Sequence, residues 1–93
     1  MRGERDVFIR GIATILDLPV RAVGNKLANA DIECIALATR AAQFNSSIVR
    51  TIYETLDLRS VPWSIADDRA VALVWMRCSP AAARTAFAKD MLN

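Results

Sequence analysis

Apolar residues recur at spacings of three and four along most of this chain, which is the period of an amphipathic helix. Phe8, Ile9, Ile12, Ile15 and Leu16 form the first stripe and predict a helix over roughly 5–16. Asp17-Leu18 reads as a short turn, and Pro19 fits the first position of a second helix, where its missing N–H costs nothing. Val20, Val23 and Leu27 line that helix to about Ala28, and Gly24 weakens it by about 1 kcal/mol relative to alanine. Asn29 or Asp31 caps a third helix, which runs to about Ala42 with Ile32, Ile35 and Ala36 inward. Asn45 or Ser46 caps a fourth, whose stripe is Ile48, Val49, Ile52, Tyr53 and Leu56.

Asp57 to Pro62 reads as a loop, because Pro62 disfavours helix at Val61. Ser64 and Asp67 then have the spacing of a capping box, and Asp67-Asp68 put negative charge near the positive end of a fifth helix over about 65–77. That helix is apolar almost all round, through Val71, Leu73, Val74, Trp75 and Met76, so it is expected at the centre of the fold. Ser79-Pro80 opens a sixth helix to about Met91, with Ala83, Phe87 and Met91 inward. No alternating run broken by a two-residue turn competes as a strand.

The pattern repeats. Ile12 to Leu27 aligns with Ala38 to Tyr53 at an offset of 26, pairing Leu16 with Ala42, Leu18 with Phe44, Val23 with Val49 and Leu27 with Tyr53. Ala83 to Phe87 echoes Val49 to Tyr53 at an offset of 34. Three copies of one αα-hairpin follow, at about 5–28, 30–57 and 64–91, within one all-α domain over 1–93. A lone hairpin cannot cover its apolar face, whereas about three stacked copies can, so a short right-handed α-solenoid is expected. The alternative architecture is a compact helix-turn-helix bundle.

The run Leu16-Asp17-Leu18-Pro19, Val23, Leu27 and then Ile35-Ala36-Leu37-Ala38-Thr39-Arg40-Ala41-Ala42 resembles the C-terminal part of uncharacterised bacterial proteins grouped as a domain of unknown function. The resemblance covers roughly 8–88 and implies tandem helical hairpins similar to HEAT-type repeats. It implies no activity, and it leaves open that the chain is a piece of a longer protein whose function lies elsewhere.

Composition narrows the chemistry. The hydrophobic fraction of 54% is ample for one core, and the net charge of +2 with a pI near 8.8 is only mildly basic. The longest apolar stretch, Ala70 to Met76, is far too short to span a bilayer. The N-terminus has no signal-peptide pattern, so a cytoplasmic location with reduced Cys34 and Cys78 is expected. Each cysteine lies in an apolar run and reads as a small core residue.

The chain has no histidine, which removes histidine-dependent nucleophilic catalysis and the commonest transition-metal ligand. Its glycines, Gly3, Gly11 and Gly24, form no phosphate-binding loop. Asp67 and Asp68 point about 100° apart on a helix and are poor joint ligands. Glu33 and Glu54 read as surface groups. The expectation is therefore no enzyme, no cofactor, no metal and no small-molecule substrate.

Two readings remain. As a helical repeat, the chain would present a surface to another protein or to a second copy of itself, with Trp63 and Arg84 as interface candidates and an alanine-rich sixth helix that permits close approach. Tyr53, on its helix stripe, reads as core. The alternative is a DNA-binding transcriptional regulator. Ile12-Ala13, Leu16, Leu18, Val23 and Leu27 have close to helix-turn-helix spacing, with Asp17 at the turn position usually held by glycine. The second helix would then enter the major groove with Arg21, Asn25 and Lys26, and Arg50 would add a phosphate contact. Against it stand Gly24 in the reading helix, only two basic residues there, and recurrence of the pattern at 38–53.

Overall fold

Among the described residues the helix-forming stripes fold as six α-helices. The computed structural model describes residues 2–28, 31–56 and 62–89. The helices are α1 (Arg2–Leu16), α2 (Val20–Ala28), α3 (Ile32–Ala41), α4 (Val49–Leu56), α5 (Ile65–Arg77) and α6 (Pro80–Phe87), with a 3₁₀ turn, Ser46–Ile48, leading into α4. Among the described residues all regular structure is helical, so the chain is all-α.

Caps set most of the boundaries. Asp31 Oδ1 accepts from the Cys34 N–H at 2.9 Å and starts α3; Asn29 lies outside the described residues. Ser64 and Asp67 form the expected capping box, at 3.3 Å and 2.9 Å. Ser79 accepts from Ala82 at 3.1 Å and Pro80 opens α6, which stops at Phe87; Met91 lies outside the described residues. Pro19 stands one place earlier than expected. Its carbonyl accepts the first bond of α2, from Val23 at 3.0 Å, so it is the cap and Val20 is the first helical residue. The loop over 57–61 also lies outside the described residues.

The repeat is visible as geometry. At the end of α1, Leu18 N–H donates to Ala13 at 2.9 Å and Asp17 N–H to Thr14 at 3.3 Å. At the end of α3, Phe44 N–H donates to Thr39 at 3.0 Å and Gln43 N–H to Arg40 at 3.0 Å. Both are Schellman turns, and the second is the first displaced by the offset of 26. Their left-handed residues are Asp17 at φ 56° and Gln43 at φ 65°. The α5–α6 junction does not copy them, since Cys78 is extended at φ −118°. The three segments aligned by sequence do each keep a buried apolar pair four apart. Val23 and Leu27, Val49 and Tyr53, and Ala83 and Phe87 are all buried.

Left-handed backbone costs an ordinary residue roughly 1–2 kcal/mol, and glycine about none. Gln43 is exposed, so little packing is lost with its side chain. Gln43→Gly is expected to stabilise the protein by about 0.5–1 kcal/mol, read as a higher urea midpoint at unchanged slope. A lower midpoint would mean that the Gln43 side chain contributes more than its backbone strain costs.

The helix at the centre is α3, a correction to the expectation for α5. On α3, Ile32, Ile35, Ala36, Ala38, Thr39 and Ala41 are buried, whereas α5 buries only Asp67, Val71 and Val74 and leaves Met76 81% exposed. The reason is size. Small side chains at 36, 38, 39 and 41 let neighbouring helices close on α3 from several sides, and bulky ones on α5 do not. Thr39 is tolerated there because its hydroxyl donates back to the helix, lying 3.0 Å from both the Ile35 and Ala36 carbonyls.

Three stripe positions also turn outward, among them Val20 at the first residue of α2. Ile15 is exposed on the last turn of α1. Ile48 is exposed because it lies in the 3₁₀ turn, whose tighter winding rotates it away from the α4 stripe.

The serial stack of hairpins is not established by the packing. α3 meets α6 and α5 far more extensively than its own hairpin partner α4, and α6 packs on α3 in preference to α5. The last helix also returns to the first hairpin, through Arg84 to α1 and through Phe87 to Lys26 of α2. The buried residues form one cluster.

Candidate interaction surface

Two arginines hold helix ends together across the fold. Arg84 Nε donates to the Leu16 carbonyl at 2.7 Å, and Arg40 Nε donates to the Cys78 carbonyl at 2.9 Å. Each takes an end carbonyl that its helix leaves unpaired, and each puts positive charge at the negative end of a helix dipole. Arg40 also stacks on Trp75, its guanidinium carbon 5.6 Å from the ring centre. Arg84, an interface candidate by sequence, is thus engaged within the chain. Arg40 is the structural arginine that sequence reasoning missed. Its signal was a lone base in the otherwise small, apolar run Ala36–Ala42.

Trp63 is held as well. Its ring meets Tyr53 edge-on at 5.2 Å and 72°, and its Nε1 donates to Asp68 Oδ1 at 2.8 Å. Asp68 therefore anchors the indole besides placing charge at the start of α5. Trp63 remains half-buried, so part of the ring still faces outward.

The structure scatters the residues named for nucleic acid. Arg21 and Asn25 are exposed on α2. Lys26 is half-buried, and its ammonium lies 6.0 Å from the centre of the Phe87 ring on α6. Arg50 is on α4, which does not pack closely on α2, and it pairs with Glu54 one turn on at 3.4 Å.

The face that stands out was not singled out by the sequence. α5 exposes Ile65 (73%), Leu73 (44%) and Met76 (81%). Leu73 also lines a groove between α5 and α3, floored by Leu37, Ala70 and Val74 and edged by Glu33 and Arg77. Sequence reasoning saw the all-round apolar character of α5 and took it for burial. The same signal fits a helix with one face in the core and one left uncovered.

Cys78 lines this groove, and Cys34 lies half-buried on α3. Burial pushes the Cys34 thiol up to about 11; nearby Lys26 opposes this, while Asp31 and Glu33 add to it. It is therefore a protonated, weakly nucleophilic thiol at neutral pH. Among the described residues no three histidine, cysteine, aspartate or glutamate side chains cluster as metal ligands, and no helix is long and apolar enough to cross a membrane. The chain matches no family model, no curated protein and no solved structure.

Proposed function

We propose that the protein is a non-enzymatic helical module that works by binding another protein chain, with α5 and the α3–α5 groove as its contact face. The observation that carries this reading is the uncovered apolar side of α5. Ile65, Leu73 and Met76 stand exposed on one side of a well-capped helix, around the exposed Arg69 and beside a groove lined by Leu37, Ala70 and Val74. Apolar surface gathered in one place is the usual mark of a contact site, whereas single exposed apolar residues need no explanation. Methionine suits such a face, because its flexible thioether adapts to the partner.

A photo-activatable phenylalanine analogue at position 76 tests it. Irradiation is expected to give protein adducts from position 76 and none from the same probe at position 21. Adducts to nucleic acid from position 21, with none from position 76, would overturn the reading.

One observation favours the second reading, a helix-turn-helix DNA binder. Ile12, Ala13, Leu16, Leu18, Val23 and Leu27 are all buried around a left-handed Asp17, and Arg21 and Asn25 are left exposed. The contact set is thinned by Lys26, which faces Phe87. The same turn also recurs at Gln43, where no second reading helix is needed. Anisotropy of random duplex DNA decides it, because such binding must appear at low salt and weaken steeply as salt rises.

A further inference from the structure

We infer that a cleft between the start of α4 and the start of α5 binds a small zwitterion, a free α-amino acid with an apolar side chain. The cleft is not the contact face proposed above. Ala70 lines the α3–α5 groove and Ala72 lines the cleft. Two residues apart on one helix, they project about 200° from each other, so the two sites lie on opposite flanks of α5.

Three segments converge on the cleft. Ser46 and Ser47 come from the 3₁₀ turn, Arg50 from the first turn of α4, and Asp68, Val71 and Ala72 from α5, with Trp63 just before it. Its volume of about 290 Å³ is at the small end for ligand sites. Val71 is buried and Trp63 half-buried, so the site offers an aliphatic and an aromatic surface to an apolar side chain.

The charges name the rest of the ligand. Arg50 and Asp68 line the same cleft, yet among the described residues they form no ion pair and so stand more than 4.0 Å apart. Asp68 Oδ1 accepts from the Trp63 indole at 2.8 Å, and among the described residues the carboxylate accepts no other hydrogen bond. Arg50 Nε lies 3.4 Å from Glu54 Oε1, and among the described residues its two terminal amino groups make no hydrogen bond. A ligand with only an anionic group would meet the charge of Asp68, and one with only a cationic group that of Arg50. An α-amino acid carries both, so its carboxylate takes the Arg50 guanidinium and its ammonium takes Asp68.

Titration of the full chain with leucine, methionine and phenylalanine, followed by ¹H–¹⁵N spectra, tests the proposal. The chain has two tryptophans, so the indole N–H of Trp63 is told from that of Trp75 by a Trp75→Phe variant. The Trp63 signal is expected to move saturably at roughly millimolar concentration or below, with that of Trp75 unmoved. N-acetyl-leucine, which lacks the ammonium, and leucinamide, which lacks the carboxylate, should each bind about tenfold or more weakly than leucine. Asp68→Asn keeps an oxygen for the Trp63 bond and removes the charge. It should weaken leucine about tenfold and leave N-acetyl-leucine nearly unchanged, while Arg50→Gln should weaken leucine and spare leucinamide. Circular dichroism checks that each variant keeps its helices. No saturable shift with any of the three amino acids overturns the proposal, as does binding indifferent to both variants. Leucinamide binding as tightly as leucine overturns it in favour of a peptide N-terminus, and N-acetyl-leucine doing so in favour of a peptide C-terminus. The position-76 probe reads the other flank of α5, so neither result decides the other.

Discussion

Phe87→Ala is expected to remove about 3–5 kcal/mol of stability, a large part of the roughly 5–14 kcal/mol available to a chain of this size. Phe87 is the largest fully buried side chain among the described residues. The other apolar residues of α6 are Pro80 and alanines, so α6 has no second anchor of that size. Its loss leaves a void where α6 packs on α3, and the buried alanines of those two helices cannot fill it, because their side chains end at Cβ. It also removes the ring over which the Lys26 ammonium sits. The melting temperature should fall on the order of 15–30 °C. Met76→Ala, by contrast, should stay within about 0.5 kcal/mol of the unchanged protein, since that side chain is 81% exposed. Urea unfolding of both variants measures the contrast. A Phe87→Ala protein within about 1 kcal/mol of the original would mean that α6 is not docked through Phe87.

The pair of variants marks where the sequence was informative. Local rules placed the helices well: Asp31, Ser64 and Ser79 each accept the backbone bond that a cap requires, and their positions follow from residue type and spacing. The repeat was legible for the same reason. A left-handed turn followed by an apolar pair four apart is a local pattern, and Asp17 and Gln43 carry it in the backbone. Which face a helix buries is not local. The stripe rule counts apolar side chains, and it favoured α5 over α3. Burial on several sides depends instead on how closely neighbours can approach, which rewards alanine and threonine on α3.

The candidate surface was misread through the same gap. Trp63 and Arg84 were named for their chemistry, aromatic and cationic, and both turn out to be engaged within the chain. Leu73 and Met76 were assigned to the core for their hydropathy and are exposed. Nothing in the spacing of residues along α5 distinguishes its covered side from its open one. That distinction arises only when α3 takes one side and no described helix takes the other.

Arg84→Met is expected to cost about 1.5–3 kcal/mol, the second-largest effect. The substitution keeps the aliphatic stem and removes the donor, so packing changes little while the Leu16 carbonyl loses its 2.7 Å partner. The Schellman turn does not replace it, because the turn bonds use the Ala13 and Thr14 carbonyls. Arg84→Lys should recover less than half of the loss, since an ammonium restores the charge near the α1 terminus without the fixed donor geometry of Nε. Ionic strength separates this bond from an ordinary surface pair. Arg50 and Glu54 are more than half exposed, so Arg50→Ala should cost only about 0.3–0.5 kcal/mol, and less in salt. The Arg84 bond is partly buried, and its contribution should persist at high salt. Hydrogen exchange then locates the effect. The bond joins residues 68 apart in sequence, so its loss should raise exchange in α6 and in the last turn of α1 before it reaches α3. Uniform faster exchange throughout would mean that Arg84 supports the whole core. A loss below about 0.5 kcal/mol would mean that water replaces the guanidinium at Leu16, and that α6 is held to the first hairpin by Phe87 alone.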